Sequence, residues 1–455
     1  MARLFTTSGI RGIYGKKITN HLAYKIGLAI GKLNNQITLS RDTRLSGPEL
    51  RKYFLAGISE HDCKAIDFSI VPTPILGYGT RNLDMKNGIM ITASHNPKEY
   101  NGFKVFDKSG KAISRQEEEI IEKEIENLSD VKEKEISEEE NKEIENKVEK
   151  DETIKNNYLE EIKNKFELKG KLKVLIDPAD GAASSITPKL LANFNYPHLA
   201  INDSGDGNFP NRNPEPNSAN LGKTCEILKA NNCDIGFAHD GDADRFMPID
   251  DLGNVVDFDK FLAFFSKKML ENNGSDTIIT TVDAPMMIDE YLGDEYKVIR
   301  TKVGDVFVAN EITKNKACFG GEPSGSYIFP KFGMWPDGIY GILQTLKFVE
   351  EENMQLSNIL EPIQKFPFTR TKFECDNEHK KIVMDALESY VPEDAELNKV
   401  DGLLIKQGDS QILIRPSGTE PSMRLNVEAK NKEIMKDLLE FWESKIKEEI
   451  KNTLT

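Results

Sequence analysis

The sequence predicts an α/β protein that changes to an α+β arrangement towards its C-terminus, and three observations lead there. From Gly170 onward, short apolar runs end in glycine-bearing loops and alternate with helical spacing, as stacked α/β units with mainly parallel sheets do. After Pro367 the apolar runs crowd together and one long amphipathic stretch closes the chain, which suits a smaller α+β domain. The length of 455 residues gives a prior of about three domains at roughly 150 residues each. The alternation divides better into four, at 1–150, 151–255, 256–367 and 368–455. No short-period repeat is visible, and three successive α/β units are compatible with a diverged triplication.

Taken in order, Leu22, Ile26, Ala29, Ile30 and Leu33 fall on one face and predict a helix over 21–34. Gly88–Thr92 reads as a short buried strand running into a polar loop. Between Arg115 and Lys169 there are 20 acidic and 11 basic residues, a local net charge of −9. Helical spacing persists at Ile120, Ile121, Ile125, Leu128 and Val131, and again at Ile154, Tyr158, Leu159 and Ile162. From Lys132 to Asp151 apolar residues are sparse, so the expectation is two solvated helices around a charged connector at a domain boundary. A partner-binding acidic segment is the sharper alternative. Strands are then expected at 173–177, 234–238, 245–250, 277–282, 298–301 and 317–319, with a helix over 259–270. In the last part, strands are expected at 401–406, 411–414 and 423–428 and a helix over 432–447.

Charge and cysteine usage exclude several classes. Lys and Arg number 60 against 75 Asp and Glu, a net charge of −15, which argues against wrapping nucleic acid or docking on an anionic membrane. Five cysteines without C-x-x-C spacing fit neither a disulfide framework nor a zinc site, so a reducing, cytoplasmic setting is expected. The apolar run Phe261–Phe265 is far too short to span a membrane.

The strongest chemical signal is Asp240-Gly241-Asp242-Ala243-Asp244-Arg245, set between two apolar strands. Alternate carboxylates in a tight turn converge hard oxygens on one divalent cation. An EF-hand would need glycine where Arg245 stands and glutamate where Asp251 stands. A solvated acidic turn is the plainer alternative. A cation held there has open positions for a phosphate oxygen, which Arg245 would also hold.

Thr92-Ala93-Ser94-His95-Asn96-Pro97, with Asn101-Gly102-Phe103-Lys104 behind it, offers a hydroxyl, an imidazole and an amine. Alone it reads more often as an ordinary turn. Gly320-Gly321-Glu322-Pro323-Ser324-Gly325 offers close backbone approach and partners for sugar hydroxyls, or else a plain tight turn. Arg415-Pro416-Ser417-Gly418-Thr419-Glu420-Pro421, followed by Arg424, suits a phosphate dianion. Nucleotide devices are missing: Gly222-Lys223-Thr224 imitates the end of a Walker loop, but Asn217 stands where glycine is required. Phosphate chemistry without a nucleotide loop points to a phosphorylated metabolite.

Together and in this order, with Thr7-Ser8-Gly9-Ile10-Arg11-Gly12 and Arg41-Asp42-Thr43-Arg44, these strings resemble the α-D-phosphohexomutase family over almost the whole chain. The resemblance implies three similar mixed α/β domains and a C-terminal α+β domain around a shared central cleft. It implies a phosphoserine at Ser94 and one Mg²⁺ held by Asp240, Asp242, Asp244 and an oxygen of that phosphoserine. Glu322 and Ser324 correspond to the family's sugar-binding pair, and Arg415, Ser417, Gly418 and Thr419 to its phosphate clamp, with Arg424 close by. A phosphorylated Ser94 needs Arg11, Lys104 and Arg245 near it, and His95 or Lys104 to move a proton.

Val303-Gly304-Asp305, a substrate-side loop, looks like the phosphoglucosamine mutase branch, and Gly320-Gly321-Glu322 has an archaeal-like flavour. Ser326 departs from the histidine many members carry. The expected activity is therefore interconversion of glucosamine 6-phosphate and glucosamine 1-phosphate through a glucose- or glucosamine-type 1,6-bisphosphate. Phosphomannomutase/phosphoglucomutase activity is the alternative and a pentose phosphate a more distant one, while a non-catalytic phosphosugar sensor and a metal-dependent phosphatase are the readings from other classes. The expected partner is a small phosphosugar, with no nucleic acid or membrane, and the chain a monomer or homodimer.

Overall fold

The computed structural model describes residues 3–6, 9–418 and 420–453. Thr7 and Ser8 of the first string, and Thr419 of the Arg415–Pro421 string, lie outside the described residues. The chain forms two compact units, Met1–Val256 with Ser324–Ile359, and Asp257–Pro323 with Leu360–Thr455.

The first unit contains two mixed sheets. In the larger, the strands run in the order Ile10–Ile13, Tyr100–Asp107, Asn87–Ile91, Gln36–Arg41, Lys64–Ile70 and Glu149–Lys150. The four from Asn87–Ile91 onward pair in parallel, while Tyr100–Asp107 is antiparallel to both its neighbours. Ile89, Met90 and Ile91 are fully buried, and each such side chain contributes about 1.5–3 kcal/mol by leaving water. The helix Asn20–Leu33 starts where Thr19 Oγ1 accepts from Leu22 N at 3.1 Å, and it buries the face that carries Ile26, Ala29 and Ile30.

Register positions the chemistry. Lys104 lies opposite Met90, and Arg11 opposite Gly102. Because residues two apart share a face of a strand, Arg11 and Lys104 point to the same side of this sheet. The strand Asn87–Ile91 then runs directly into the Ser94 loop.

The second sheet has the order Phe246–Ile249, Ile235–His239, Val174–Asp177 and His198–Ala200. Its first two strands form an antiparallel pair with Phe246 opposite His239, so the turn between them is Asp240–Arg245. The helix Gly338–Glu352 belongs to this unit. It is capped by the buried Asp337, whose carboxylate accepts from Tyr340 N at 2.9 Å and from Tyr158 Oη at 2.8 Å.

In the second unit, Lys297–Thr301, Thr277–Thr281 and Phe319–Gly321 pair in parallel, with Thr277–Thr281 in the middle. The α+β part is a wholly antiparallel sheet in the order Phe368–Glu374, Ser422–Ala429, Ser410–Pro416, Leu403–Gln407, Glu396–Asn398. Helices Lys380–Leu387 and Lys432–Asn452 bury Val383, Leu387, Met435, Trp442 and Ile446 in its core. The two parts of this unit are tied by Glu428 Oε2, which accepts from Met286 N at 2.7 Å, and by Gln411 Nε2, which donates to Ala284 O at 3.0 Å.

One expectation fails. The charged stretch after Val131 is not a bare connector: it forms the helix Glu138–Lys147 and the edge strand Glu149–Lys150 of the first sheet. Val131, Ile136, Ile144 and Val148, widely spaced among charges, all pack on the first core. Arg51 anchors the helix from the other side, pairing with Asp67 at 2.7 Å and with Glu145. The strand expected at 317–319 is shifted to 319–321, and the other expected strands lie within two residues of their forecast ends.

Candidate active site

Ser94 sits in a left-handed conformation at φ 52°, which few residues other than glycine adopt without support. Its Oγ donates to Asp240 Oδ2 at 2.6 Å and lies 3.3 Å from His95 Nδ1. Its amide donates to Thr92 Oγ1 at 2.8 Å. Ser94, His95, Lys104, Arg11, Asp240, Asp242, Asp244 and Arg245 all lie in the first unit.

The acidic turn is built from main chain resting on main chain. Ala243 takes φ 56°, which turns the chain so that alternate carboxylates face inward. A methyl group at Gly241 would lie 2.6 Å from Ser94 O, and one at Gly181 would lie 2.5 Å from Gly241 O. Ala182 N also donates to Gly241 O at 2.9 Å. Side chains at these two positions would push the serine loop and the acidic turn apart.

Lys104 Nζ donates to Asp242 Oδ2 at 2.6 Å and to Asp244 Oδ2 at 2.5 Å, and Thr73 Oγ1 donates to Asp242 Oδ2 at 2.5 Å. Arg245 Nε lies 3.9 Å from Asp244 Oδ1, and Arg245 N donates to Asp240 Oδ1 at 3.3 Å. Burial pushes Asp240 well above the usual carboxylate range, and the neighbouring Asp244 and Asp242 charges add to it. Burial acts the same way on Asp242, but Lys104, Thr73 and Arg11 outweigh it and hold that carboxyl low. Lys104 is raised: burial opposes its charge, but Asp242 and Asp244 outweigh that effect. Burial, then Arg245, Arg11 and Lys104, lower the His95 imidazole to about 2, so it is neutral.

This donor set fits a hard divalent cation. One ligand atom from each of Asp240, Asp242 and Asp244 falls within 4.8 Å of the others. Asp242 Oδ1 and Asp244 Oδ1 are buried without hydrogen-bond partners, a state that carboxylate oxygens avoid unless something binds them. Three oxygen donors with an adjacent hydroxyl are the chemistry Mg²⁺ prefers.

Among the other members of the first unit, Glu215 and Thr73 were not singled out from the sequence. Glu215 Oε2 lies 3.6 Å from His95 Nε2. Thr73 holds Asp242 from a helix that carries no motif. Asp42 and Arg44, buried beneath the serine loop, do belong to one of the family-like strings, which is the signal that marks them. Ser326 forms an isolated bridge with Arg245, beside the acidic turn. Ser324, in the same unit, is half-buried and followed by Gly325 at φ 82°.

Glu322, Gly304, Asp305, Arg415, Ser417, Gly418 and Arg424 lie in the second unit. Arg415 and Arg424 stand directly opposite one another on adjacent strands, an arrangement that like charges disfavour without an anion. Arg415 pairs with Asp401 at 2.8 Å, and its Nε is buried without a partner. Asp401 Oδ2 also accepts from Val303 N at 3.3 Å, so this residue links the 303–305 loop to Arg415 and the turn after it. Gly304, at φ 132°, leads into the helix Asp305–Asn315. The turn itself closes on Lys380, whose Nζ donates to Ser417 O at 2.6 Å and Glu420 O at 2.5 Å. Neither Lys380 nor Asp401 belongs to a recognisable string. Glu322 is buried just after the strand Phe319–Gly321.

Comparison with known proteins agrees over the full length. Four consecutive stretches match the phosphoglucomutase/phosphomannomutase family: α/β/α domain I at 2–134, α/β/α domain II at 156–253, α/β/α domain III at 257–366 and the C-terminal domain at 371–443. The phosphoglucosamine mutase of Methanocaldococcus jannaschii is 42% identical over 453 residues, covering 97% of each chain. That of Methanococcus aeolicus is 42% identical over 448 residues, covering 96% of this chain and 97% of its own. A phosphoglucomutase/phosphomannomutase family protein from Burkholderia thailandensis, solved by X-ray crystallography, superposes with a TM-score of 0.85 at 26% identity, covering 98% of this chain and 97% of that one. No described helix is long and apolar enough to cross a membrane. With every domain matched in order and relatives of this identity at nearly full length, the chain belongs to the phosphoglucomutase/phosphomannomutase family.

Proposed function

We propose that the chain is a phosphosugar mutase that interconverts glucosamine 6-phosphate and glucosamine 1-phosphate, with Ser94 as the phosphoryl carrier and a hexose 1,6-bisphosphate as intermediate. One observation carries the carrier role: Ser94 Oγ, held left-handed, donates to Asp240 within a buried set of three carboxylates and Lys104. The choice of amino sugar rests on the relatives, which are named phosphoglucosamine mutases and share about two residues in five with this chain.

Asp240, Asp242, Asp244 and an oxygen on phosphorylated Ser94 would hold Mg²⁺, which when bound supplies Lewis-acid stabilisation of the phosphoryl oxygens. Arg11, Lys104 and Arg245 balance the −1.5 to −2 charge of phosphoserine. In the forward step the Ser94 Oγ–P bond breaks and a bond forms from phosphorus to a sugar hydroxyl oxygen. The hydroxyl proton leaves and Ser94 Oγ regains one. His95, neutral and with Nδ1 3.3 Å from Ser94 Oγ, and Lys104, which holds its charge, are the groups that take up the one proton and give the other. Arg415, Ser417, Gly418, Thr419 and Arg424 bind the phosphate that is not reacting, and Glu322, Ser324, Gly304 and Asp305 recognise the sugar. The bisphosphate then turns round and returns its other phosphate to Ser94.

Two measurements test this. Intact mass after incubation with glucose 1,6-bisphosphate is expected to show one added phosphoryl group, absent in Ser94→Ala. That variant should lose mutase turnover by on the order of 10⁴-fold or more, the scale of removing a covalent nucleophile. Full turnover in Ser94→Ala would refute the carrier. For substrate, kcat/KM is compared for glucosamine, glucose and mannose phosphates. Preference for mannose 1-phosphate would replace the amino-sugar assignment with phosphomannomutase activity.

A further inference from the structure

We infer that Arg44 is the positioning residue that fixes the Ser94 loop in its reactive conformation, an inference that rests on Ser94 being the phosphoryl carrier. The Arg44 side chain is completely buried, and a guanidinium has five N–H donors in a rigid plane. Nε donates to Asp42 Oδ2 at 3.0 Å. Nη1 donates to Pro97 O at 2.6 Å and Tyr100 O at 3.0 Å, and Nη2 to Ser94 O at 2.8 Å and Asn96 O at 2.6 Å. Every donor is used, and four carbonyls between Ser94 and the first residue of the next strand, Tyr100, converge on one cation.

Without that cation the carbonyl dipoles would face one another in a buried space with no donor to satisfy them. The loop would open, and Ser94 would lose its left-handed conformation, which persists only where the surroundings over-determine it. Asp42 closes the circuit from the other side. Its Oδ2 accepts from Thr92 Oγ1 at 2.6 Å, and Thr92 Oγ1 accepts from Ser94 N at 2.8 Å. Both the amide and the carbonyl of Ser94 thus trace back to the Asp42–Arg44 pair.

The far side of the guanidinium is covered as well. The Phe209 ring lies with its centroid 5.2 Å from Arg44 Cζ, and the Arg44 backbone bridges to Gly207. Lysine cannot replace this arrangement, because a point ammonium with three donors cannot meet four carbonyls and a carboxylate at once. The loop's freedom, rather than substrate affinity, is what Arg44 controls.

The test is Arg44→Lys in the full chain, assayed with glucosamine 1-phosphate and glucose 1,6-bisphosphate. Cooperative thermal unfolding should persist and KM should stay within about threefold. The expected loss is about 100-fold in kcat, matched by the rate of phosphoryl uptake at Ser94, since a shift of roughly 1 Å in a reacting group costs that much. Turnover within about threefold of the parent would overturn the inference, as would a loss confined to KM. If Arg44→Lys does not fold cooperatively, hydrogen exchange in the parent decides: the amides of Ser94, Asn96 and Tyr100 should exchange as slowly as those of the strand Asn87–Ile91, and exchange as fast as in an unstructured peptide would overturn it. A parent that never gains a phosphoryl group on Ser94 refutes the carrier itself, which is a distinct result because the failures above occur in a phosphorylated, active parent.

Discussion

The Ser94 loop in the first unit and the Ser417 turn in the second are both organised by a buried basic side chain that gathers main-chain carbonyls. The extent differs greatly. Arg44 uses all its donors and closes on four carbonyls and a carboxylate, whereas Lys380 makes two bonds, to Ser417 O and Glu420 O. Ser94 is fully enclosed, while Arg424 beside the second turn is 45% exposed and shares weak contacts with Ser417 and Glu420. A group whose bonds break and form must keep one geometry within a fraction of an ångström. On the proposed function, a turn that only binds a dianion tolerates more motion, and one that accepts either phosphate of a reorienting bisphosphate requires it. Rigidity follows the chemistry, and recognition is left looser.

The contrast can be broken most severely at Gly241. An alanine there places a methyl group 2.6 Å from Ser94 O, and separation of the serine from the carboxylates should lower kcat by about 100-fold with KM little changed. A kcat near the parent value would mean that the loop is softer than its contacts imply. Lys380→Met probes the other side. If the 415–421 turn binds phosphate as proposed, loss of its two bonds to Lys380 should raise KM about tenfold, the scale of roughly 1.4 kcal/mol of binding, and leave kcat within a few-fold. An equal fall in kcat would erase the distinction between the two loops.

The smallest effect concerns the seam inside the second unit. Burial, together with Asp259 and Asp289 and against the Met286 amide and Arg300, raises the Glu428 carboxyl to about 7. An acid whose pKa is raised by folding binds its proton more tightly in the native state. Its stabilisation is complete below the ordinary value of 4.5 and lost as pH rises through about 7. Stability should therefore fall by about 1 kcal/mol between about pH 6 and about pH 8 on this account. Glu428→Gln, followed by urea unfolding at both pH values, should flatten that dependence, and an unchanged slope would show that another group is responsible.

Much of this was legible in the sequence where local pattern and chemistry coincide. The turn Asp240–Arg245 announced itself because alternate carboxylates between apolar strands are unusual, and the fold places those strands as an antiparallel pair. The helix Asn20–Leu33 and three strands of the last sheet followed from the pattern of apolar residues, whereas Phe368–Glu374 and Glu396–Asn398 of that sheet did not. What escaped had no local signature. Ile136 and Ile144 are single apolar residues in a charged run, and only tertiary packing reveals that both are buried. Lys380 and Asp401 act on the phosphate turn across 37 and 14 residues of chain, through a carbonyl and an ion pair. A bond to a carbonyl can be made to any residue type, so composition does not encode it. Arg44 reaches carbonyls 50 to 56 residues away; the string that contains it marked its importance but not its office.

The stacking of Gly181 on Gly241, and of Gly241 on Ser94, has a consequence for how the protein tolerates change. Where backbone touches backbone, the spacing between Ser94 and the carboxylates is set by the dimensions of the peptide unit, which mutation does not alter. The surrounding core can exchange leucine for isoleucine or phenylalanine for methionine, and neighbouring rotamers can soften with heat, without that spacing being renegotiated. The gauge of the reaction centre is thereby insulated from drift in the rest of the chain, at the cost of two positions where no side chain is admitted.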